Sequence, residues 1–449
     1  MSKPIHELMD EKSMSRFQWG VISLCFLINM LDGFDVLVMA FTAASVASHW
    51  SLSGIQLGYL LSAGLVGMAL GSLFIAPWAD RFGRRPLIMF CIAVAGSGMV
   101  ASAYAQSPVQ LGALRLLTGL GIGGILASSY VIAGEYASKK WRGLAISLQA
   151  TAYALGATIG GIVAAWIIPA MGWPSVFLYG GLTTLATLPI MGLWLPESLD
   201  FLLGRQPRGA LLAVNRLLGK VGLPGINTLP AAGANRAQAA RAGVGSLFAP
   251  GLLPSTLLIW CAFFLVMLGF YFVMSWTPKL MVSAGLSNQQ GITGGVLLNV
   301  GGIVGTSLIG LLAARFALPR LLMIYMLANF CLMYGFVRLL GELNMAFAAA
   351  LLIGIFVNGC VAGLYALTPS IYRSTQRVTG LGWAIGMGRV GAIVSPLLAG
   401  RLIDAQWAPA ELFSVFGLAF VLGALAIAAL PWAQRRSHRQ PQPQGQPQG

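Results

Sequence analysis

Four charged side chains lie inside long apolar stretches of the sequence, where burying a charge is costly. Asp32 and Asp35 occupy the first stretch, Arg115 the fourth and Arg389 the eleventh. A charge at the centre of a bilayer costs about 2.5–3.5 kcal/mol on insertion scales, so charged residues in such positions commonly bind a substrate or move a proton. Asp32 and Asp35 are three residues apart and project from roughly the same helix face. Because two carboxylates at this spacing repel each other, the pair favours a proton carrier over a structural ion pair.

The two arginines indicate binding of an anion. Arg389 has no obvious acidic partner on neighbouring stretches, and a guanidinium can hold a carboxylate through two parallel hydrogen bonds. We therefore predict that Arg389 binds an anionic ligand near the middle of the membrane. Arg115 leaves two interpretations open, substrate binding or a structural ion pair with the first stretch, since Asp35 is expected at a similar depth. Other side chains that could line the same site are Asn299, Tyr271 and Trp383.

The composition around these residues is that of a membrane protein. The chain has 449 residues, of which 57% are hydrophobic and only 9% charged, and its mean hydropathy is +0.80. A soluble domain carries about 25% charged residues. The net charge of +15 could indicate nucleic acid binding, but the basic residues lie between apolar stretches, as in the loops of a membrane protein. The composition excludes soluble enzymes, and no nucleic acid partner is expected.

Twelve apolar stretches of about 20 residues predict twelve transmembrane helices, because that length crosses the hydrocarbon core of a bilayer. A long connection rich in Gly, Ala, Pro and Arg divides them six and six. Residues Asp80–Phe82, after the second stretch, have a partial echo in Ala314–Phe316, after the eighth. The predicted fold class is an all-α membrane protein with two pseudo-symmetric six-helix bundles and a ligand site at their interface.

Charge in the loops predicts the orientation of the chain. The predicted segments are an N-terminal tail, a first bundle, a linker loop, a second bundle and a disordered C-terminal tail, over residues 1–16, 17–195, 196–251, 252–432 and 433–449. Most of the 27 Lys and Arg residues fall in the two tails, the linker and the loops on the same side. Because basic loops stay in the cytoplasm, both termini and the linker are predicted to be cytoplasmic.

A charged cluster is predicted at the cytoplasmic end of the first bundle. The turn after the second stretch and the region that follows the fourth hold both signs of charge: Asp80, Arg81, Arg84, Arg85, Glu135 and Arg142. Orientation by basic loops explains the arginines but not the two acids. We predict that these residues form ion pairs that break when the two bundles move, and that they act as a gate. Asp80 could also cap the start of the eleventh helix near Thr379.

Several kinds of chemistry have no support in the sequence. There is no GxxxxGK[ST] motif for ATP, no HExxH motif for zinc and no GxSxG motif for a hydrolase. The three histidines lie outside the apolar stretches, and the five cysteines have irregular spacing. We expect no metal, no cofactor and no enzymatic activity.

Motifs in the chain resemble a known family. The twelve-span layout, Asp80–Arg85 and Pro196–Ser198 are similar to the major facilitator superfamily. Within it, Asp32-Gly-Phe-Asp35 resembles the DGxD signature of the aromatic acid:proton symporters, and Arg377–Arg389 resembles the start of their eleventh span. The resemblance implies roles for the charged positions that match, and it adds Arg377 to the predicted gate: Asp32, Asp35, Arg115, Glu135, Arg377 and Arg389.

The resemblance implies a monomeric proton symporter that imports benzoate, a hydroxybenzoate, gallate, muconate or a related acid across a bacterial inner membrane. Asp32 and Asp35 would carry the proton, and Arg389 would bind the carboxylate of the substrate. Two alternatives remain open. One is a transporter of another solute, such as a sugar, a dicarboxylate or a drug. The other is a membrane sensor that binds aromatic acids without transporting them.

Overall fold

A computed structural model describes residues 8–10, 13–229, 244–249, 252–372 and 376–439. In this part of the chain, twelve helices are long and apolar enough to cross a membrane, which confirms the predicted fold class. In chain order they are α1 (Arg16–Trp50), α2 (Gly54–Phe82), α3 (Arg84–Ser102), α4 (Pro108–Tyr136), α5 (Arg142–Met171), α6 (Trp173–Trp194), α7 (Leu253–Ser283), α8 (Asn288–Ala313), α9 (Leu318–Leu339), α10 (Leu343–Ile371), α11 (Arg377–Asp404) and α12 (Pro409–Arg439).

Serine residues set the start of several helices. Ser15, Ser53 and Ser287 precede α1, α2 and α8, and each side chain accepts a hydrogen bond from the main-chain N–H three residues later. A glutamine stands at that later position each time, and its side chain accepts a hydrogen bond from the N–H of the serine. The reciprocal pair satisfies two donors that the first turn of a helix otherwise leaves without partners.

Helices α1 and α5 lie against each other with their main chains in contact. A Cβ atom added at Gly33 would overlap the main-chain carbonyl of Tyr153, and one added at Gly156 would overlap that of Met30. Small residues permit this approach, which lets helices pack tightly where lipid supplies no hydrophobic driving force between them. Since Gly33 lies between Asp32 and Asp35, the acid pair is held against α5.

The two halves close on each other at the end of the bundle opposite the linker. We call this end the far end, and the end that holds the connection between α6 and α7 the linker end. At the far end, the Asp404 carboxylate on α11 accepts hydrogen bonds from the main-chain N–H groups of Gly54 (2.5 Å) and Ile55 (2.9 Å), at the start of α2. The Asn288 side chain donates to the Ser45 hydroxyl across the same interface at 2.8 Å. These contacts hold the halves together at the far end.

The structure differs from the predicted boundaries in two places. The linker, expected to be a loop, contains two helices, Leu199–Arg205 and Ala210–Val221, which pack apolar side chains on the linker end of the first half. Helix α12 continues to Arg439, which corrects the predicted start of the disordered tail at residue 433. Hydropathy detects only the apolar core of a span, whereas helical hydrogen bonds continue beyond it. Residues 440–449 lie outside the described residues.

Candidate functional site

The structure places the two aspartates near the middle of α1, inside the first half. Asp32 is 2% exposed and Asp35 is 1% exposed. The Oδ2 atom of Asp32 and the Oδ1 atom of Asp35 are buried, and neither has a hydrogen-bond partner among the described residues. A buried carboxylate without partners is costly in its charged form. This environment suits groups that gain and lose a proton.

Arg115 on α4 is enclosed in the first half and contacts α1 through the main chain. Its Nη2 atom donates to the main-chain carbonyl of Asp35 at 2.6 Å, and its guanidinium lies 5.7 Å from the centre of the Phe177 ring. Arg115 is 2% exposed, and its Nε and Nη1 atoms have no hydrogen-bond partner among the described residues. No described carboxylate lies within 4.0 Å of it, so the simple ion pair with Asp35 is not formed. Arg115 instead positions the helix turn that carries Asp35.

Arg389 lies between the two halves, near the middle of α11. It is twelve residues beyond Arg377, about 18 Å along the helix at a rise of about 1.5 Å per residue. The guanidinium is partly exposed, and in the part of the chain that the structure describes no carboxylate lies within 4.0 Å of it. The arrangement leaves a cation at mid-depth without an internal counterion, as the sequence predicts.

Tyrosine side chains from both halves lie close enough to Arg389 to interact with it electrostatically. Its charge acts on the hydroxyl groups of Tyr153 on α5, Tyr271 on α7 and Tyr365 on α10. These three tyrosines come from helices of both halves, and each is at least partly exposed. The predicted residue Tyr271 therefore lies in the neighbourhood of Arg389, together with two tyrosines that were not placed by sequence.

Tyr153 and Tyr130 lie within electrostatic range of Asp32. The charge of Asp32 acts on both hydroxyl groups, and that of Arg389 acts on Tyr153 as well. Tyr130, on α4, is a site residue that sequence reasoning missed, because an aromatic residue near the end of a span is more often part of the membrane interface. Tyr153 is thus close enough to interact electrostatically with both Asp32 in the first half and Arg389 in the second.

A buried amide network supports α1 one turn from Asp32. The Asn29 side chain donates to the Ser129 hydroxyl at 3.0 Å and to the Gln149 side-chain oxygen at 2.9 Å. These three residues belong to α1, α4 and α5 and are buried. Polar networks that bond residues of three helices favour one arrangement of those helices.

Two other predicted binding residues have their own partners. The Asn299 amide on α8 donates to the main-chain carbonyl of Gly295 in its own helix, at 2.9 Å. Trp383 stacks on Trp260 with ring centres 5.8 Å apart, and it lies six residues from Arg389 toward the linker end. Neither is brought into the group of tyrosines by any contact described for them.

The predicted gate residues that belong to the first half interact within that half. Arg84 contacts the Glu135 carboxylate and the Ser198 hydroxyl, and Ser198 donates to Glu135 at 2.7 Å. The Glu197 carboxylate accepts a hydrogen bond from the N–H of Arg84 at 2.8 Å. Glu197 and Ser198 are therefore members of this cluster that the gate prediction did not include. Their Pro-Glu-Ser motif is the signal that could have found them.

Each of the remaining gate residues also interacts within its own half of the protein. Asp80 has a 77% exposed side chain and lies 3.8 Å from Arg84 in its own turn, so it does not cap α11 here. Three of the others donate to main-chain carbonyls: Arg85 to Gly192, Arg142 to Gly134 and Arg377 to Tyr372. Arg142 also lies 3.6 Å from the Asp10 carboxylate in the N-terminal tail, and Arg81 lies over the Phe82 ring.

Two six-helix halves with a charged, tyrosine-lined group between them define a transporter that spans the membrane many times. Residues 22–361 match the family model of the Major Facilitator Superfamily, and the chain belongs to that superfamily. Its members are transporters rather than enzymes.

Named relatives and solved structures agree with this assignment. The chain is 35% identical to the gallate transporter of Pseudomonas putida, over 96% of each chain. It is 32% identical to the 4-hydroxybenzoate transporter of the same species, over 90% of this chain and 91% of the relative. The fold is similar to an inward-open structure of the xylose transporter XylE from E. coli, with a TM-score of 0.73, 18% identity and coverage of 91% and 95%. The predicted resemblance to aromatic acid transporters is confirmed by these two relatives.

Proposed function

We propose that this chain is a proton-coupled symporter that imports a small aromatic carboxylate by alternating access. The observation that carries the proposal is the position of Arg389 between the halves, within electrostatic range of three tyrosine hydroxyl groups and with no described carboxylate within 4.0 Å. A substrate carboxylate would form two parallel hydrogen bonds with the guanidinium. A sugar has no group that requires this charge.

The tyrosines favour a hydroxylated benzoate as the substrate. Tyr153, Tyr271 and Tyr365 offer ring faces for stacking and hydroxyl groups that can bond a phenol. The two relatives named for gallate and 4-hydroxybenzoate support the same class of substrate.

Asp32 and Asp35 are proposed to carry the proton. Their burial without described hydrogen-bond partners makes occlusion of the charged form costly, so protonation would permit the loaded carrier to turn. The distribution of basic residues supports an orientation with both termini and the linker in the cytoplasm. The bacterial relatives support a place in a bacterial inner membrane, where the chain is proposed to act as a monomer. The linker end is then cytoplasmic, and the far end faces outward.

The charged cluster at the linker end is proposed to act as the inner gate. In this structure the cluster bonds within the first half, while the halves meet at the far end. When the carrier opens outward, the linker ends approach, and exposed Asp80 could then meet the start of α11, where the helix dipole favours an anion.

Transport by proteoliposomes tests the proposal. Purified protein is reconstituted, a pH gradient that is acid outside is imposed, and uptake of labelled 4-hydroxybenzoate, gallate and xylose is followed. Protein-free liposomes correct for passive permeation of the neutral acids. We expect an aromatic acid to accumulate and a protonophore to abolish accumulation. Binding without accumulation would identify a sensor, and accumulation of xylose would identify a different class of substrate.

Replacing Arg115 by lysine is expected to lower the maximal rate of uptake with little change in KM. Lysine keeps the charge but loses the guanidinium that holds the Asp35 carbonyl. A hydrogen bond to a charged group contributes about 1.5–3 kcal/mol, so the rate should fall at least about tenfold. Initial rates over a range of substrate concentrations check this. A raised KM at an unchanged maximal rate would instead assign Arg115 to substrate binding.

Replacing Asp404 by alanine is expected to weaken closure of the far end. The Asp404 carboxylate caps the start of α2 from the other half, and loss of such a cap costs about 0.5–2 kcal/mol. The equilibrium should move about 2- to 30-fold toward the state open at the far end. Spin labels at Val109 and Met345, exposed residues at the far end of each half, report the distance distribution.

The spin-label experiment uses a background without the exposed cysteines Cys261 and Cys331. The matched control is Glu411→Ala, because Glu411 caps the start of α12 within its own half at 2.8 Å. This control should leave the distance unchanged. Equal distributions for the Asp404 variant and the control would contradict a role for Asp404 in closure.

A further inference from the structure

A second cavity lies between the two halves at the far end. It has a volume of about 310 Å³, within the usual range of small-molecule pockets. Its wall includes Gly54 on α2 from the first half, and Trp276, Lys279 and Ile403 from the second. Ile403 is fourteen residues from Arg389 on α11, about 21 Å along the helix. The cavity is therefore separate from the site around Arg389.

The charged side chain of the wall is Lys279, near the end of α7. Lys279 is partly buried, and among the described residues no carboxylate lies within 4.0 Å of its ammonium group. Asp404, beside the cavity, accepts hydrogen bonds from the N–H groups of Gly54 and Ile55 at the start of α2. The cavity thus offers a cation that forms no ion pair within 4.0 Å with any described residue.

Aromatic rings accompany this cation. Trp276 and Trp407 both line the cavity. Trp276 is 1% exposed and its indole N–H has no hydrogen-bond partner among the described residues, whereas Trp407 is 39% exposed. An ammonium group beside an exposed indole complements a planar anion, because the carboxylate can bind the ammonium group while the ring of the anion lies against Trp407.

We propose that this cavity is a second binding site for an aromatic carboxylate, a proposal that rests on the proposed function for the class of ligand. The walls come from both halves, so the site is complete only while the far end is closed. A ligand that binds one conformation shifts the equilibrium toward it. External substrate at high concentration therefore holds the far end closed, slows the return of the empty carrier and inhibits uptake.

Calorimetric titration with 4-hydroxybenzoate tests the site in detergent-purified full-length protein. Two binding sites per chain are expected in the parent and one in Arg389→Gln. Adding Lys279→Gln to Arg389→Gln is expected to weaken the remaining site at least about tenfold. Lys279→Arg should restore that binding. Arg401→Gln is the matched control, since Arg401 is exposed on the same end of α11 and does not line the cavity.

Uptake kinetics give the second readout. The parent should show inhibition at high external substrate concentration, and Lys279→Gln should remove the inhibition without changing the KM measured at low concentration. If Lys279→Gln leaves both binding and inhibition as in the parent, the second site is wrong while the proposed function stands. If the parent accumulates no aromatic acid, the proposed function itself is wrong.

Discussion

Replacing Arg389 by glutamine is expected to abolish saturable uptake of the aromatic acid. The substitution removes the cation that lies within electrostatic range of Tyr153, Tyr271 and Tyr365 and leaves a substrate carboxylate in a protein interior without a counterion. Replacing Arg389 by lysine retains the charge but loses the paired hydrogen bonds. We expect Arg389→Lys to raise KM about 10- to 100-fold, as loss of about 1.5–3 kcal/mol of binding predicts.

Initial rates in proteoliposomes with a fixed pH gradient check both variants. Arg401→Lys is the matched control, because it makes the same chemical change on the same helix at an exposed position. Its kinetics should equal those of the parent. A KM for Arg389→Lys equal to that of the parent would show that the guanidinium does not bind the substrate.

Replacing Asp32 by asparagine is expected to uncouple substrate movement from the proton. Asparagine has nearly the same shape but cannot take up and release a proton, so the binding site should persist in a permanently neutral form. Accumulation driven by a pH gradient should be lost. Exchange of labelled substrate for unlabelled substrate across the membrane should continue, because exchange needs no net movement of protons.

The two measurements on Asp32→Asn separate coupling from folding. A variant that neither accumulates nor exchanges substrate would indicate loss of structure, which thermal unfolding of the purified protein would reveal. Asp35→Asn makes the same change one helical turn away and tests which acid is required. Persistent accumulation in the pH gradient by Asp32→Asn would remove Asp32 from the mechanism, and Glu411→Gln controls for the loss of an exposed carboxylate.

The sequence was sufficient for the number of spans and their division into halves. Apolar length is set by the thickness of the bilayer, so it can be read locally. The position of Arg389 could be predicted for a related reason, since a charge in an apolar stretch stands out against its neighbours. Helix ends were less accessible, and the two linker helices and the extension of α12 to Arg439 required the structure.

Contacts between distant parts of the chain could not be predicted. Tyr130 resembles any interfacial aromatic residue until Asp32 is known to lie close to it. Asp404, at the end of a span, has the position of an ordinary loop acid, and its bonds to the start of α2 depend on how the halves meet. The same is true of Arg115, whose partner is a main-chain carbonyl that carries no signal in the sequence.

The direct packing of α1 on α5 limits which distances can change when proton binding is coupled to substrate binding. Because the main chains of α1 and α5 touch at Gly33 and Gly156, we expect the acids and Tyr153 to move together as one rigid unit. The distance that can change is then the one from the acids to Arg389, which belongs to the second half. In such a carrier, the proton and the substrate would influence each other across the interface between the two halves. A methyl group at Gly33 would clash with the Tyr153 carbonyl and separate α1 from α5.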